Sequence, residues 1–187
     1  MRSNNPVVKH AYNSCVTRHA PAEETGPATA AQPALADDER LTAVGLFMEA
    51  ASGMKARFSG QLVEHGLSDA EFEVLIRLVR TPGGALRMSD LAAQTQLTTS
   101  GITRVVDRLE RHSLVERRAC PTDRRGLLTF ITAAGRGRLD KVLPGHLELI
   151  ELWLTGLFSA ADLEDFLRHL RVVRDAVRPD ATAGAGS

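Results

Sequence analysis

Residues 98–132 read TTSGITRVVDRLERHSLVERRACPTDRRGLLTFIT. Ile102, Val105, Val106 and Leu109 fall at i, i+3, i+4 and i+7, the spacing of a helix that buries one stripe. Two apolar, β-branched runs come next, SLVERRA and GLLTFIT, joined through CPTDRR, and predict a hairpin. Arginines crowd both elements. From Gly101 to Arg138 they stand at 104, 108, 111, 117, 118, 124, 125, 136 and 138, against acids at 107, 110, 116 and 123, a local excess of nine minus four, or five.

On the N-terminal side, MSDLAAQT predicts a short helix from Ser89, and Gln96 and Leu97 turn the chain into the striped helix. Before it, LSDAEF offers a capping box, Ser68 with Glu71, and a staple of Leu67 on Phe72, opening a helix that runs to Thr81 ahead of PGG. Further back, Asp37 or Asp38 caps a long helix with apolar positions Val44, Phe47, Ala51, Met54, Phe58 and Leu62, which Gly66 ends. After the hairpin, Thr132 or a neighbour caps a helix expected to be interrupted or bent near Pro144 and Gly145. Ser159 with Asp162, and Phe158 against Leu163, open a last helix striped by Leu163, Phe166, Leu167, Leu170 and Val177.

The fold class expected is mainly α with a small β-hairpin wing: a winged helix-turn-helix lobe over 67–131, flanked by helices over 37–66 and 132–177. Residues 1–36 and 178–187, poor in large apolar residues, read as flexible tails. With 187 residues and 4% aromatics, the chain is expected to form one domain with an aliphatic core. Basic and acidic residues balance at 23 each, so the basic cluster leaves the remainder net negative by five. No apolar run is long enough to span a membrane, no signal-peptide pattern opens the chain, and Cys15 and Cys120 make no disulfide framework, so a cytoplasmic location is expected.

A helix, a tight turn, a second helix and a basic hairpin suit double-stranded DNA. The second helix fills a major groove with its first turn against base edges, where Thr98, Thr99, Ser100 and Thr103 supply compact donors and acceptors and Gly101 permits close approach. Arg104 and Arg108 lie one turn apart on its polar side, within reach of phosphates or guanine edges. The hairpin, with Arg118, Arg124 and Arg125, would carry guanidinium groups into the adjacent minor groove. Asp107 is expected to pair with Arg104, Arg111 or a wing arginine and so hold the wing to the helix.

The sequence LAAQTQLTTSGITRVVDRLERHSLVERRACPTDRRGLLTFITAAGR resembles the MarR family of bacterial transcriptional regulators, over roughly residues 37 to 177. Ser113 stands where the family usually has glycine, and ITAAG replaces the usual Leu-Thr opening. The resemblance implies a homodimer, intertwined through the first and last two helices, whose two winged lobes read a pseudo-palindromic operator. It also implies that Asp123 buttresses Arg125 in the minor groove, with Arg124 a second candidate. Such regulators usually repress, and many release DNA when a small anionic or phenolic ligand, a metabolite or an oxidant acts.

Other classes fare worse. No nucleophile elbow, P-loop, paired-carboxylate motif or dinucleotide fingerprint is present, so no enzyme is expected, and no cofactor. A winged helix that docks on another protein is the competing reading, but it has no need of the seven arginines between 104 and 125. The histidines at 10, 19, 65, 112, 146 and 169 show no metal-binding spacing, so no metal is expected. His65 and His146 read as surface residues that could line an effector cleft. Cys120 reads as an exposed thiol without a role, Cys15 as a tail residue, and Trp153 as dimer core before pocket lining.

Overall fold

A computed structural model of the chain describes residues 35–95, 97–120 and 123–178, with backbone alone at 123–125. The expectations for Cys15, for most of both tails and for the side chains of Asp123, Arg124 and Arg125 lie outside the described residues.

Two parts of the chain separate at Ala43 and Val44. In the first, a 3-10 turn at Leu35–Asp37 precedes the opening turn of α1 (Glu39–Glu64), most of which belongs to the second. Of the two candidate caps, Asp38 takes the position: its carboxylate accepts from the Arg40 amide at 2.9 Å. The Arg40 guanidinium, 2.6 Å away, holds that carboxyl below the usual range.

In the second part, α1 closes on itself at its end. The Leu67 amide donates to the Leu62 carbonyl (3.0 Å) and the Gly66 amide to Val63 (2.9 Å), with Leu62 and Leu67 both buried beneath the turn. Next, α2 (Asp69–Arg80) opens on the expected capping box. The Glu71 amide donates to the Ser68 hydroxyl, and the Glu71 carboxylate takes the Ser68 amide at 2.9 Å. A 3-10 turn, Pro82–Gly84, leads to β1 (Ala85–Arg87), α3 (Met88–Thr95), α4 (Thr99–Arg111), β2 (Val115–Cys120) and β3 (Asp123–Ile131). The remaining elements are α5 (Ala133–Trp153), a 3-10 turn at Thr155–Leu157, and α6 (Ala160–Val177).

The wing is more than the expected hairpin. It is a three-stranded antiparallel sheet in the order β1-β3-β2, with Leu86 opposite Thr129 and Arg117 opposite Thr129 on the other side. A strand of three residues is too short to display an alternating pattern, so β1 left no signal in the sequence. Of the interruption or bend expected near Pro144 and Gly145, the interruption is absent: Pro144 lies inside one continuous helix, with buried Val142 and His146 on either side. Proline costs a helix one hydrogen bond and crowds the carbonyl four residues before it, a penalty that burial of the neighbouring Val142 and His146 offsets here.

One aliphatic core joins these elements. Val74, Leu75 and Leu78 of α2, Leu91 of α3, and Ile102, Val106 and Leu109 of α4 are fully buried, together with Val115, Leu139 and Val142. Each such side chain is worth about 1.5–3 kcal/mol. His146, expected at the surface, is buried as well. Its ring lies 5.1 Å from Phe58 of α1 and 4.6 Å from Phe72 of α2, and its Nδ1 is 3.1 Å from the Gln61 amide oxygen. Cys120 is likewise buried, with an Arg87 guanidinium nitrogen 3.7 Å from its sulfur, and is not the exposed thiol anticipated. Neither burial has a local signal, because each depends on partners distant in sequence.

The turn from α4 to the wing fixes how the two meet. The Leu114 amide donates to Leu109 (2.9 Å) and the Ser113 amide to Glu110 (2.8 Å), which requires a left-handed residue at 113. Ser113 supplies it at φ 57, the single positive φ outside glycine among the described residues. The next helix is seated on this turn. The Thr132 hydroxyl donates to the Ser113 carbonyl (2.7 Å) and accepts from the Gly135 amide (3.0 Å). A Cβ on Gly135 would stand 2.2 Å from the Leu114 carbonyl oxygen, so the glycine of ITAAG is required by that close approach.

Two consequences can be measured. Because an L-residue is strained at a left-handed position, Ser113→Gly is expected to raise unfolding free energy by about 0.5–1 kcal/mol after glycine's entropy cost. Urea unfolding reads this, and an unchanged midpoint would count against the strain. Burial lowers the basicity of His146 from its ordinary value of 6.5, so the unfolded chain takes up this proton at a higher pH than the folded one. Stability should therefore fall as pH drops below 6.5 and level off once the folded form also protonates. His146→Gln should lose that part of the slope, and identical slopes in both proteins would contradict the assignment.

Candidate nucleic-acid interface

The buried stripe of α4 leaves its opposite side in solvent. Thr98, Thr99, Ser100, Thr103 and Arg104 lie on that side, largely open to water, as the spacing predicted. Thr98 is the N-cap: its hydroxyl accepts from the Gly101 amide at 3.0 Å and lies 3.1 Å from the Ser100 hydroxyl. Thr103 donates its hydroxyl proton to the Thr99 carbonyl (2.8 Å), keeping its oxygen available as an acceptor. Among the described residues Arg104 makes no ion pair, so a guanidinium stands beside the hydroxyls, ready for an anionic or acceptor-rich partner.

Arg108 has a different setting. Its Nε donates to the Glu71 carboxylate at 3.0 Å, and its side chain is 43% exposed, on the flank of α4 rather than in the open row. Glu71 therefore serves twice, as the capping-box acid of α2 and as the anchor of α4. Burial pushes its carboxyl up, but the Ser68 hydroxyl, the Ser68 amide and Arg108 together outweigh that and hold it below the ordinary value of 4.5. The sequence revealed the box but not this second partner, 37 residues away.

Asp107 resolves in favour of a wing arginine. The Arg117 guanidinium of β2 donates to Asp107 (2.6 Å), to Glu110 (3.0 Å) and to the Thr103 carbonyl (3.3 Å), while its backbone amide reaches Glu110 at 3.1 Å. One side chain thus ties the wing to two successive turns of α4. The pairs are partly exposed, with Asp107 at 49%, and such pairs contribute about 0–1 kcal/mol each. Against a core residue that is small, so this clasp orients the wing more than it stabilises the lobe. Arg117 and Glu110 were not foreseen as site residues.

On the wing itself, Arg118 is exposed, paired with Glu116 and held 4.7 Å over the Phe130 ring. The backbone of Asp123, Arg124 and Arg125 begins β3, with Asp123 opposite Cys120 at the irregular end of the ladder. Among the described residues no three His, Cys, Asp or Glu side chains form a metal-binding group, and no helix is long and apolar enough to cross a membrane.

A second feature lies away from this face. Leu46, Phe47, Met54, Trp153, Phe158 and Phe166 line an open apolar groove of about 720 Å³, with Arg57 stacked 3.6 Å over the Trp153 ring. Trp153 is half-buried and lines this groove. Nearby apolar side chains on α1, α5 and α6, among them Val44, Leu147, Leu152, Val172 and Val173, are largely exposed, and α6 contains no buried residue at all.

Comparison with known proteins agrees with this architecture. The family model for the MarR family matches residues 65–126. The HTH-type transcriptional repressor YetL of Bacillus subtilis is 33% identical over 117 residues, which cover 63% of this chain and 67% of that protein. Among solved structures, AbsC, a MarR family transcriptional regulator from Streptomyces coelicolor, matches 76% of this chain and 96% of its own at a TM-score of 0.71 and 28% identity. Sco3205, another MarR family transcriptional regulator from Streptomyces coelicolor, solved in complex with DNA, matches 75% of this chain and 92% of its own at a TM-score of 0.70 and 26% identity. This chain belongs to the MarR family of transcriptional regulators, which are DNA-binding proteins and not enzymes.

Proposed function

We propose that the protein is a homodimeric, sequence-specific repressor that binds a pseudo-palindromic operator. The observation that carries this reading is the exposed row of Thr98, Thr99, Ser100, Thr103 and Arg104 on α4, with the wing clasped beside it by Arg117. Helix and wing held in one orientation can enter a major groove and the neighbouring minor groove together. In this reading Ser100 and Thr103 contact base edges. Arg104 serves phosphate or guanine, and the wing, with Arg118, carries Arg125, buttressed by Asp123, into the minor groove, with Arg124 a second candidate for it. Arg108 contributes mainly by fixing α4 through Glu71.

The dimer is supported by the uncovered apolar surface of α1, α5 and α6. A groove lined by Phe47, Trp153 and Phe166 is far more apolar than a solvated surface requires, and a second copy of the flanking helices, 37–66 and 132–177, would cover it. Two copies then present two α4 helices to half-sites about one helical turn apart. Occupying a promoter in this way blocks transcription. A small anionic or phenolic ligand would relieve the block only by binding the DNA-free arrangement more tightly than the bound one.

Fluorescence anisotropy on duplexes tiling the upstream region of the protein's own gene, repeated across salt, tests the reading. Binding restricted to a palindrome, at nanomolar affinity and with a steep salt slope, is expected. Arg125→Ala should weaken it and flatten the slope, while Ser100→Ala should change which base is preferred. Arg117→Ala should cost little thermal stability, consistent with about 0–1 kcal/mol per exposed pair, yet weaken the operator complex severalfold by freeing the wing. If neither these tiles nor duplexes selected from random sequence bind better than bulk DNA, the protein-docking alternative takes its place.

A further inference from the structure

We propose that Arg178 is a positioning residue for DNA recognition, locking the end of α6 to the helix that precedes α4. Its guanidinium donates to the carbonyls of Ala93 (3.2 Å) and Gln94 (3.4 Å), both in the last turn of α3. Carbonyls in a final helical turn have no partner within their own helix and carry the negative end of its dipole, so a guanidinium there is doubly favoured. The same α3 terminus is held from inside by the buried Thr95, whose hydroxyl donates to the Leu91 carbonyl at 2.6 Å. Only two residues of sequence separate it from Thr98, the cap of the helix that presents Ser100, Thr103 and Arg104.

The contact spans 85 residues of sequence and links two regions with different tasks. Because α6 has no fully buried residue within its own chain, little intrachain packing ties it to the lobe, and a directed polar contact at its end is what joins it to α3. Arg178 is itself anchored: its backbone amide closes α6 on the Arg174 carbonyl, so the side chain leaves from a defined helix end. A shift of α6 is thereby passed to the α3 terminus, and from there to the angle at which α4 meets DNA, the two helices being only a few residues apart in sequence. This role rests on the dimeric DNA-binding reading, in which α6 belongs to the covered surface.

The full-length protein and its Arg178→Ala and Arg178→Lys variants decide the matter on a selected operator and on versions with one base pair added to or removed from the spacer. Arg178→Ala should bind the native spacing about fivefold more weakly and discriminate less against altered spacing. Its salt slope should match the wild type, because in this role Arg178 touches no phosphate. Lysine, which can still donate to a carbonyl, should restore part of the discrimination. A salt slope lowered by about one would instead make Arg178 a phosphate contact and overturn the proposal; unchanged spacing discrimination would do the same. Hydrogen exchange of the amides from Leu97 to Ile102, measured without DNA, separates this from failure of the underlying reading. Faster exchange in Arg178→Ala supports the lock and equal exchange removes it, whereas a wild type that selects no duplex at all overturns the recognition role whatever the exchange shows.

Discussion

The rotation of α4 about its own axis is the constraint on which the interface depends. Ile102, Val105, Val106 and Leu109 are at most 5% exposed, and turning the helix would bring several of them into water together. At about 1.5–3 kcal/mol for each buried aliphatic side chain, that cost exceeds what the polar contacts around the helix could supply. The aliphatic stripe therefore determines which side chains face outward. Ser100, Thr103 and Arg104 are exposed because their positions lie opposite it.

Burial alone leaves smaller freedoms, and polar contacts remove them one at a time. The grip of Glu71 on Arg108 fixes α4 against α2, while Arg117 aligns the wing with Asp107 and Glu110. The strained turn at Ser113, with Thr132 and Gly135 packed on it, sets where α5 leaves the lobe. None of these is strong by the standard of the core. Their common property is direction: each joins two elements along one line, and so fixes how they sit against each other.

The sequence was most legible where structure depends on near neighbours. The Ser68–Glu71 box, the Thr132 and Ser159 caps and the α4 stripe all involve partners within one or two turns, and each is present as expected. Legibility failed where partners are remote. The strand β1 pairs with residues 41 to 45 positions away, Ala85 with Phe130 at one end; His146 is buried by Phe58 and Phe72; Cys120 lies under Arg87. Pro144 does not break α5 for a related reason, since a local rule about helix interruption yields to packing on both sides. Within the interface, the exposed row of α4 could be read in advance. The partners of Arg108 and Arg117 could not be assigned, because an arginine near several acids has no sequence rule for choosing among them.

The bare surface of α6 bears on how the molecule holds together. An isolated helix of this length is only marginally stable in water, and this one places no residue in the core of its own chain. Its order is then a property of whatever covers it. In a dimer, dilution and unfolding become the same process for this element: fewer encounters between chains mean a larger fraction with α6 frayed. The cellular abundance of such a regulator would set how much of it is structurally competent, as well as how many operators it fills.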